Sequence, residues 1–280
     1  MVKGLKFWKM HGIGNDYIVI DNRGEKLREG NIMNFARQVC QRRFSVGADG
    51  LLLVYNSDIA DAKMRMFNPD GTEAEMCGNG IRCFVKFCYE NKIVKKKKLD
   101  VETLAGIKQT QLLTSDGEVK SVTVDMGKPS FDRSSIPMLG KGTCINEKLN
   151  VDGETYTVTC LSLGNPHCVL FADDVEAFPV QQIGSKIEAH KIFPKRINVE
   201  FVQIINREEI KVRVWERGVG ETLACGTGAC ASAVASYVLG KTNRKVTVHL
   251  LGGNLEILYN NYILMKGPTI KVFAGELSLN

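Results

Sequence analysis

Short apolar runs recur along the chain and predict a strand-rich protein. The runs are rich in Val, Ile, Leu, Phe and Tyr, and Gly, Asn, Asp or Pro bounds them, as is typical of strands and turns. Even the longest runs, such as residues 51–55, are far too short to span a bilayer. The predicted strands are residues 17–21, 50–55, 63–67, 121–125, 155–160, 168–171, 198–205, 211–215, 245–250 and 254–257.

Apolar positions at helical spacing are rarer. Their spacing within residues 31–44 predicts one helix, and two further helical patterns begin at Cys77 and at Cys225. Few long helical crossovers separate the strands, which favours antiparallel pairing. We therefore predict a mixed α/β (α+β) protein with much antiparallel sheet.

An internal repeat is the most informative feature of the sequence. The segment FNPDGTEAEMCGNG (67–80) matches WERGVGETLACGTG (215–228), so that Cys77 aligns with Cys225 at an offset of 148 positions. A second pair, GNDY (14–17) and GNPH (164–167), has an offset of 150 positions. Two pairs at nearly one offset predict two similar α/β lobes, with the paired motifs facing each other across a cleft.

Each C-G-x-G motif opens a helical pattern, and this position has chemical consequences. A thiol at a helix N-terminus lies beside unpaired backbone N–H groups and the positive end of the helix dipole. We therefore predict that the pKa of each thiol is lowered from about 8.5 toward neutrality. The same N–H groups could hold a carboxylate. A phosphate loop is not indicated, because neither motif carries the Lys-Ser/Thr pair that such loops use.

Two symmetric thiols beside one bound carboxylate suit a racemase or an epimerase. Such an enzyme removes a proton from one face of a carbon atom and returns a proton to the other face. It therefore needs one thiolate and one thiol, each able to work in both directions. The carbanion formed next to the carboxylate must be stabilised electrostatically, and two helix N-termini could do this without an organic cofactor.

Composition and charge narrow the class of protein further. The chain has 280 residues, enough for two domains, and a formal net charge of +6 that is spread along its length. The one dense basic run, residues 95–98, is interpreted as a solvated loop, so no nucleic-acid partner is predicted. The first residues include no apolar signal segment, which predicts a cytoplasmic protein without a membrane partner.

Nine cysteines fit a reducing compartment better than a disulfide scaffold, because their number is odd and the chain is not small. Their spacings include no close pair of the kind that zinc sites use, and the four histidines are scattered singly. We predict no metal site, and we interpret the cysteines other than Cys77 and Cys225 as core or incidental thiols.

Six motifs, in order, resemble those of the diaminopimelate epimerase family. They are KMHGIGNDYIVID (9–21), SVGADGLLLV (45–54), FNPDGTEAEMCGNGIRC (67–83), LGNPHCV (163–169), INVEFV (197–202) and WERGVGETLACGTGACA (215–231). The resemblance covers nearly the whole chain. It implies interconversion of LL- and meso-diaminopimelate, in lysine and peptidoglycan-precursor biosynthesis, by a homodimer that uses neither pyridoxal phosphate nor a metal.

The resemblance also implies a fold of two pseudosymmetric lobes. Each lobe is a mixed, mostly antiparallel sheet around a central helix, with the active site in the cleft between them. The expected lobes are residues 1–125, to which a C-terminal strand at about 268–280 returns, and residues 126–267. The crossing falls near residues 125–130, where a strand pattern meets Gly127 and Pro129.

Residue roles follow from the same resemblance. Cys225 matches the proton acceptor in the LL-to-meso direction and Cys77 the donor, and His167 and Glu216 match groups that tune the thiols. Glu216 also matches the group that meets the distal ammonium of the substrate, and Arg217 the distal carboxylate, a pairing that suits their charges. The other matching substrate-binding positions are Asn15, Asn68, Gly78, Asn79, Asn165, Asn198, Gly226 and Thr227.

Other interpretations remain open at this point. Turn formation is one alternative for four asparagines, namely Asn15, Asn68, Asn165 and Asn198. His167 could be a structural residue, and Glu216 with Arg217 could form a surface ion pair. Proline racemases and phenazine-type isomerases are related alternatives, although the former carry a His where this chain has Asn79. A thiol-based redox sensor is a third possibility. Some members of the family carry Gln where this chain has Gly50. If that Gln binds substrate in them, this chain must replace the contact with water or its backbone.

Overall fold

Strands dominate both halves of the chain, and a few helices lie between them. The computed structural model describes residues 4–277. They form two compact units, one containing the described residues up to Asp125 together with those from Lys266 onward, the other containing Met126–Met265. The elements, in chain order, are β1 (Leu5–Gly12), β2 (Asn15–Asp21), α1 (Glu29–Val39), β3 (Gly50–Tyr55), β4 (Ala62–Phe67), β5 (Glu73–Ala74), α2 (Gly78–Glu90), β6 (Lys98–Thr103), β7 (Gly106–Ser115), β8 (Glu118–Gly127), β9 (Cys144–Val151), β10 (Glu154–Ser162), β11 (Pro166–Phe171), α3 (Val180–Glu188), β12 (Asn198–Asn206), β13 (Glu209–Glu216), β14 (Gly220–Thr222), α4 (Gly226–Val238), β15 (Lys245–Leu250), β16 (Gly253–Asn260), β17 (Tyr262–Pro268) and β18 (Ile270–Leu277).

The first unit is a mixed sheet in which antiparallel pairs alternate with parallel ones. Strand β1 lies antiparallel to both β2 and β18, and β3 lies antiparallel to β4. The parallel pairs are β2–β3 and β4–β6, whose connections contain α1 and α2 respectively. A helix supplies the long crossover that a parallel pair requires.

The second unit repeats this plan. Strand β10 lies antiparallel to both β9 and β11, and β12 lies antiparallel to β13. Its parallel pairs are β11–β12 and β13–β15, connected through α3 and α4. The short strands β5 and β14 pair with β4 and β13 immediately before α2 and α4. The prediction of two lobes on one plan is therefore confirmed.

Helices α2 and α4 are the central helices of their units. Nearly every residue of α2 is buried, and α4 is buried from Gly226 through Ser236 except for the half-buried Thr227. Helix α4 consists of small and apolar residues on all sides, a composition typical of helices enclosed by other elements. Strands of the surrounding sheet pack against each of them, which fixes the position of their N-terminal cysteines.

The helix predicted over residues 31–44 is wrong at both ends. Helix α1 begins at Glu29 and ends at Val39, and the Gly47 N–H returns to the Val39 carbonyl in a loop. Phe44 is 88% exposed, so it supplies no core contact that could extend the helix. Of the basic run at residues 95–98, the first three form an exposed loop, but Lys98 begins β6.

Among residues 4–277, no helix is long and apolar enough to cross a membrane. The nine cysteines are all free thiols. Within the same residues, no cluster of His, Cys, Asp and Glu side chains has the composition of a metal site.

Candidate active site

Cys77 caps the N-terminus of α2 in extended backbone conformation and is half-buried. The hydroxyl of Tyr17, on β2, lies 3.0 Å from its sulfur atom and 2.5 Å from Asn15 Oδ1. Burial, followed by the nearby Cys77, raises the pKa of Tyr17 well above its usual value. Tyr17 therefore remains a neutral hydroxyl that can donate a hydrogen bond to a thiolate.

Asp49 and Arg82 orient the side-chain amides of Asn15 and Asn79 near Cys77. Asn15 Nδ2 donates to Asp49 Oδ2 at 2.9 Å, and Asn79 Nδ2 reaches Asn15 Oδ1 at 3.4 Å. The fully buried guanidinium of Arg82 donates to Asn79 Oδ1 at 2.8 Å and to the Gly78 carbonyl at 2.9 Å. Predicted positions Asn15, Gly78 and Asn79 thus lie in one hydrogen-bonded group with Cys77, and Arg82 is an anchor that sequence reasoning missed.

Cys225 occupies the equivalent N-cap position of α4, also in extended backbone conformation, but its surroundings differ. It is only 7% exposed, and the Gly228 N–H donates to its sulfur at 3.3 Å. Thr227 Oγ1 lies 3.4 Å from the same sulfur. Burial raises the pKa of Cys225 well above its usual value, the charges of Glu216 and Glu200 add to the rise, and the two hydrogen bonds oppose it. The predicted lowering toward neutrality is therefore wrong for Cys225, because desolvation outweighs the helix terminus.

Hydrogen bonds connect His167 and Asn165 to this thiol by way of Thr227. Asn165 Nδ2 donates to Thr227 Oγ1 at 3.1 Å, and Asn165 Oδ1 lies 3.1 Å from His167 Nε2. The other ring nitrogen of His167 lies 2.7 Å from Glu200 Oε1, and both side chains are fully buried. Sequence reasoning missed Glu200, although a carboxylate within the apolar run of β12 was a visible signal.

Glu216 and Arg217 occupy the end of β13 and the turn that follows. Glu216 Oε1 accepts a hydrogen bond from Thr222 at 2.5 Å, and the Arg217 side chain reaches the Lys195 carbonyl at 3.4 Å. Glu188 holds the turn by accepting from the Gly218 N–H at 2.8 Å. The turn thus fixes the backbone of both residues, and the Arg217 side chain is exposed.

Asn198 and Asn68 have structural partners of their own. Asn198 Oδ1 accepts from the Arg217 N–H at 2.9 Å, and its Nδ2 donates to the Pro166 carbonyl at 2.8 Å. Asn198 therefore positions the turn that carries Arg217. Asn68 donates to Thr72 Oγ1 at 3.0 Å within its own turn after β4.

Gly50 has a packing reason to be glycine. It pairs with Tyr17 across β2 and β3. A Cβ atom here would lie 3.0 Å from the Phe67 carbonyl oxygen and 3.1 Å from the Tyr17 ring. A side chain at this position would therefore require the Phe67 carbonyl or the Tyr17 ring to shift by a few tenths of an ångström. Tyr17 itself supplies a polar group beside Cys77.

The chain matches a family model over most of its length. The model described as Diaminopimelate epimerase matches residues 7–131 and 159–272. Curated relatives with that name include one from Moorella thermoacetica, 51% identical over 280 residues, covering 99% of this chain and 100% of the relative. Another, from Methanococcus maripaludis, is 49% identical over 279 residues, covering 98% of this chain and 100% of the relative.

Solved structures with lower identity share the fold. The crystal structure of a phenazine biosynthesis protein of the PhzF family from Bacillus anthracis has a TM-score of 0.71 at 17% identity, covering 99% of this chain and 100% of that one. A probable proline racemase from Agrobacterium radiobacter has a TM-score of 0.71 at 14% identity, covering 99% and 93%. The two-lobed architecture is therefore shared beyond the family that the sequence matches.

Proposed function

The chain belongs to the diaminopimelate epimerase family and is an isomerase, and we propose that Cys77 and Cys225 are the two groups with which it interconverts LL- and meso-diaminopimelate. The observation that carries this proposal is the pair of cysteines at the N-termini of the two central helices. Two-base epimerisation needs two such groups, and each of these thiols has a hydroxyl within 3.4 Å of its sulfur.

The proposed proton transfer balances at the α-carbon. In the LL-to-meso direction the Cys225 thiolate takes the α-proton and becomes a thiol. The Cys77 thiol then gives its proton to the opposite face of the carbon and becomes a thiolate. The reverse direction exchanges these roles.

Charge develops on the carboxylate next to the reacting carbon while the proton is absent. The first N–H groups of a helix have no acceptor within the helix and carry partial positive charge. We assign Gly78 and Asn79 of α2, and Gly226 and Thr227 of α4, to the binding of that carboxylate. Stabilisation of a developing charge by preorganised donors supplies much of the rate in reactions of this kind.

The non-reacting end of diaminopimelate is itself a zwitterion. We assign the distal ammonium to Glu216 and the distal carboxylate to Arg217, with Asn68 and Asn198 beside them. A guanidinium binds a carboxylate through two parallel hydrogen bonds, so this end would fix the orientation of the substrate. Asn15 and Asn165 complete the proposed set, with His167 and Glu216 as the groups that tune the thiols.

We further propose that the protein is a cytoplasmic homodimer. Its proposed lobes are residues 1–125 with a returning C-terminal strand at about 268–280, and residues 126–267; residues 1–3 and 278–280 of these ranges lie outside the described residues. The family resemblance supports the homodimer and the two lobes, and the odd number of cysteines, all of them free thiols, supports a reducing compartment. A dimer is also supported by the exposed apolar side chains of β18, among them Ile270 and Val272, which are about half exposed. Sedimentation equilibrium of the purified protein measures its oligomeric state directly.

The proposal is tested by incubating reduced protein with LL-diaminopimelate in deuterated water without any added cofactor. We expect the meso isomer to form with deuterium at the new stereocentre, as followed by NMR and mass spectrometry. Folded, reduced protein that neither forms the meso isomer nor exchanges the α-proton contradicts the proposal. Activity on proline instead would assign the chain to the chemistry of its structural neighbour.

A further inference from the structure

Glu200 is a fully buried carboxylate in the middle of an apolar strand. Its Oε1 atom lies 2.7 Å from His167 Nδ1, while Oε2 has no hydrogen-bond partner within the described part of the chain. An isolated buried charge is costly, which favours sharing one proton between Glu200 and His167. Burial also raises the pKa of Glu200. A pair with one shared proton has no net charge.

A chain of hydrogen bonds runs from this pair to the sulfur of Cys225. His167 Nε2 lies 3.1 Å from Asn165 Oδ1, and Asn165 Nδ2 lies 3.1 Å from Thr227 Oγ1. Thr227 Oγ1 lies 3.4 Å from Cys225 Sγ. Every link belongs to the second unit, and the chain begins at a buried side chain that does not itself touch the sulfur through a hydrogen bond.

Which group donates in each of these hydrogen bonds follows from the hydrogen atoms that each group carries. Asn165 Oδ1 carries no hydrogen, so His167 Nε2 must donate to it. Asn165 Nδ2 can only donate, so Thr227 Oγ1 accepts there. The single hydroxyl hydrogen of Thr227 is then available for the Cys225 sulfur. This direction holds whether the remaining proton resides on His167 Nδ1 or on Glu200 Oε1.

We propose that Glu200 is a positioning residue for Cys225. Glu200 holds His167 so that its Nε2–H donates to Asn165. Asn165 then donates to Thr227, and the Thr227 hydroxyl donates to the Cys225 thiolate. No proton travels along the chain in this proposal. It rests on the proposed role of Cys225 as an acid–base group, and it names a side chain that controls that role without touching the substrate.

Without Glu200, neutral His167 can place its hydrogen on Nδ1 instead. Its bare Nε2 then attracts the amide N–H of Asn165, the amide turns over, and Asn165 Oδ1 faces Thr227. The Thr227 hydroxyl then donates to Asn165, and the sulfur loses its donor. The Gly228 N–H remains, because it belongs to the helix backbone.

The first unit supplies a substitution that suits this position. Glu200 pairs with Val169 in the parallel β11–β12 ladder, and Leu52 pairs with Val19 in the equivalent β2–β3 ladder. Leu52 is fully buried next to Gly80, as Glu200 is next to Gly228. The E200L substitution therefore places in the second unit the residue that the same fold already accommodates in the first.

Two ways in which Glu200 could act predict opposite results. The charges facing Cys225 are those of Glu216 and Glu200, and its hydrogen-bond donors are Thr227 and the Gly228 N–H. If Glu200 acted only as a negative charge, its removal would ease ionisation of the thiol. If Glu200 acts through the hydrogen-bond chain, its removal raises the pH needed to ionise the Cys225 thiol.

The test follows the pH dependence of Cys225 alkylation by iodoacetamide, resolved by peptide mass spectrometry in a C77S background. For E200L we expect the midpoint to rise by about one pH unit, equal to about tenfold slower alkylation at fixed pH. E200Q should stay within about threefold of the parent rate, because its amide N–H can donate to His167 Nδ1 and leave Nε2–H in place. An unchanged or lowered midpoint in E200L overturns the proposal.

A double-mutant cycle identifies the route. T227V should reproduce the shift of E200L, T227S should not, and E200L combined with T227V should shift no further than either alone. Additive shifts contradict a route through the hydrogen-bond chain, and so does an unchanged midpoint in T227V. If the E200L protein does not fold, the midpoint of T227V alone tests the proposal. Alkylation requires no substrate, so these results are separate from the exchange experiment that tests the proposed function itself.

Discussion

The two cysteine sites share a backbone plan but differ in the side chains around the sulfur. Cys77 is half-buried and receives a tyrosine hydroxyl at 3.0 Å. Cys225 is buried and has a backbone N–H at 3.3 Å and a threonine hydroxyl at 3.4 Å. Duplication of a fold therefore sets where a thiol lies, whereas a few neighbouring residues set how readily it ionises.

Equivalent positions show where the two sites diverged. Tyr17 and His167 occupy matching places in the parallel ladders, opposite Gly50 and Asn198 respectively. In the first unit the aromatic side chain reaches the sulfur directly. In the second, hydrogen bonds connect His167 to the sulfur through Asn165 and Thr227. An enzyme that moves protons in both directions does not need identical groups, only groups that can each be charged or neutral.

Replacing either thiol with an alcohol should have the largest effect. C77S and C225S should each lower epimerisation by roughly 10³-fold or more, because a serine hydroxyl is too weak an acid to exchange protons in both directions. Turnover of LL-diaminopimelate measures this. Cys88 in α2 supplies a matched control, since C88A removes a buried thiol from the same helix and should retain activity.

The glycines one turn after each cysteine should respond differently to alanine. A Cβ at Gly228 would lie 2.9 Å from Glu200 Oε1 and 3.4 Å from Cys225 Sγ, so G228A should destabilise by about 1–3 kcal/mol and reduce turnover. At Gly80 the nearest atom, in the Tyr17 ring, is at 3.4 Å, an ordinary contact. G80A should be neutral or stabilising by up to about 1 kcal/mol. Urea unfolding compares the two, and equal losses would mean that the sites are packed alike.

Removal of the Tyr17 hydroxyl should affect only the Cys77 site. Y17F deletes the donor that lies 3.0 Å from the sulfur, and we expect about tenfold slower alkylation of Cys77, the effect of one hydrogen bond to a charged group. Alkylation of Cys225 in the same sample is the internal control. Y89F removes a hydroxyl elsewhere on α2 and should change neither rate.

A partly buried ion cluster gives the first unit an acid-sensitive feature. Burial raises the pKa of Asp16, but hydrogen bonds from Arg42 and Lys9 outweigh it and hold that pKa well below the usual value. Its contribution to stability is therefore present above about pH 4 and is lost as the pH falls below that value. D16N should lower the free energy of unfolding by about 1–3 kcal/mol at neutral pH and flatten its decline in acid. Equal acid slopes in urea unfolding of the two proteins contradict this assignment.

The repeat in the sequence predicted the most important placements. The C-G-x-G motifs before apolar helical patterns placed both cysteines at helix N-termini, because glycine and the start of an amphipathic pattern are local signals. Several elements were less visible. Strand β7 carries polar side chains on much of its length, and α3 contains Gly184, where a Cβ would lie 2.7 Å from Trp215. Close packing required a glycine there and weakened the helical signal.

Burial depth was the property that local patterns could not supply. The thiol of Cys225 is desolvated because β11, β12 and α4 pack around it, and these elements are distant in the sequence. The same packing places Glu200 beside His167, whereas Arg82 reaches Asn79 from three residues further along α2. Sequence reasoning therefore placed both cysteines at helix N-termini but assigned the wrong direction to the pKa of Cys225.

In the proposed mechanism, each of the two cysteines transfers the proton on its own face of the α-carbon. The most direct test is α-deuterium exchange by C77S and C225S with each stereoisomer in deuterated water, under conditions in which neither variant epimerises. We expect a complementary result: C77S exchanges the α-proton of the LL isomer through Cys225, and C225S exchanges that of the D-centre of the meso isomer through Cys77. Exchange of both isomers by one variant, or of neither isomer by both variants, would contradict the claim.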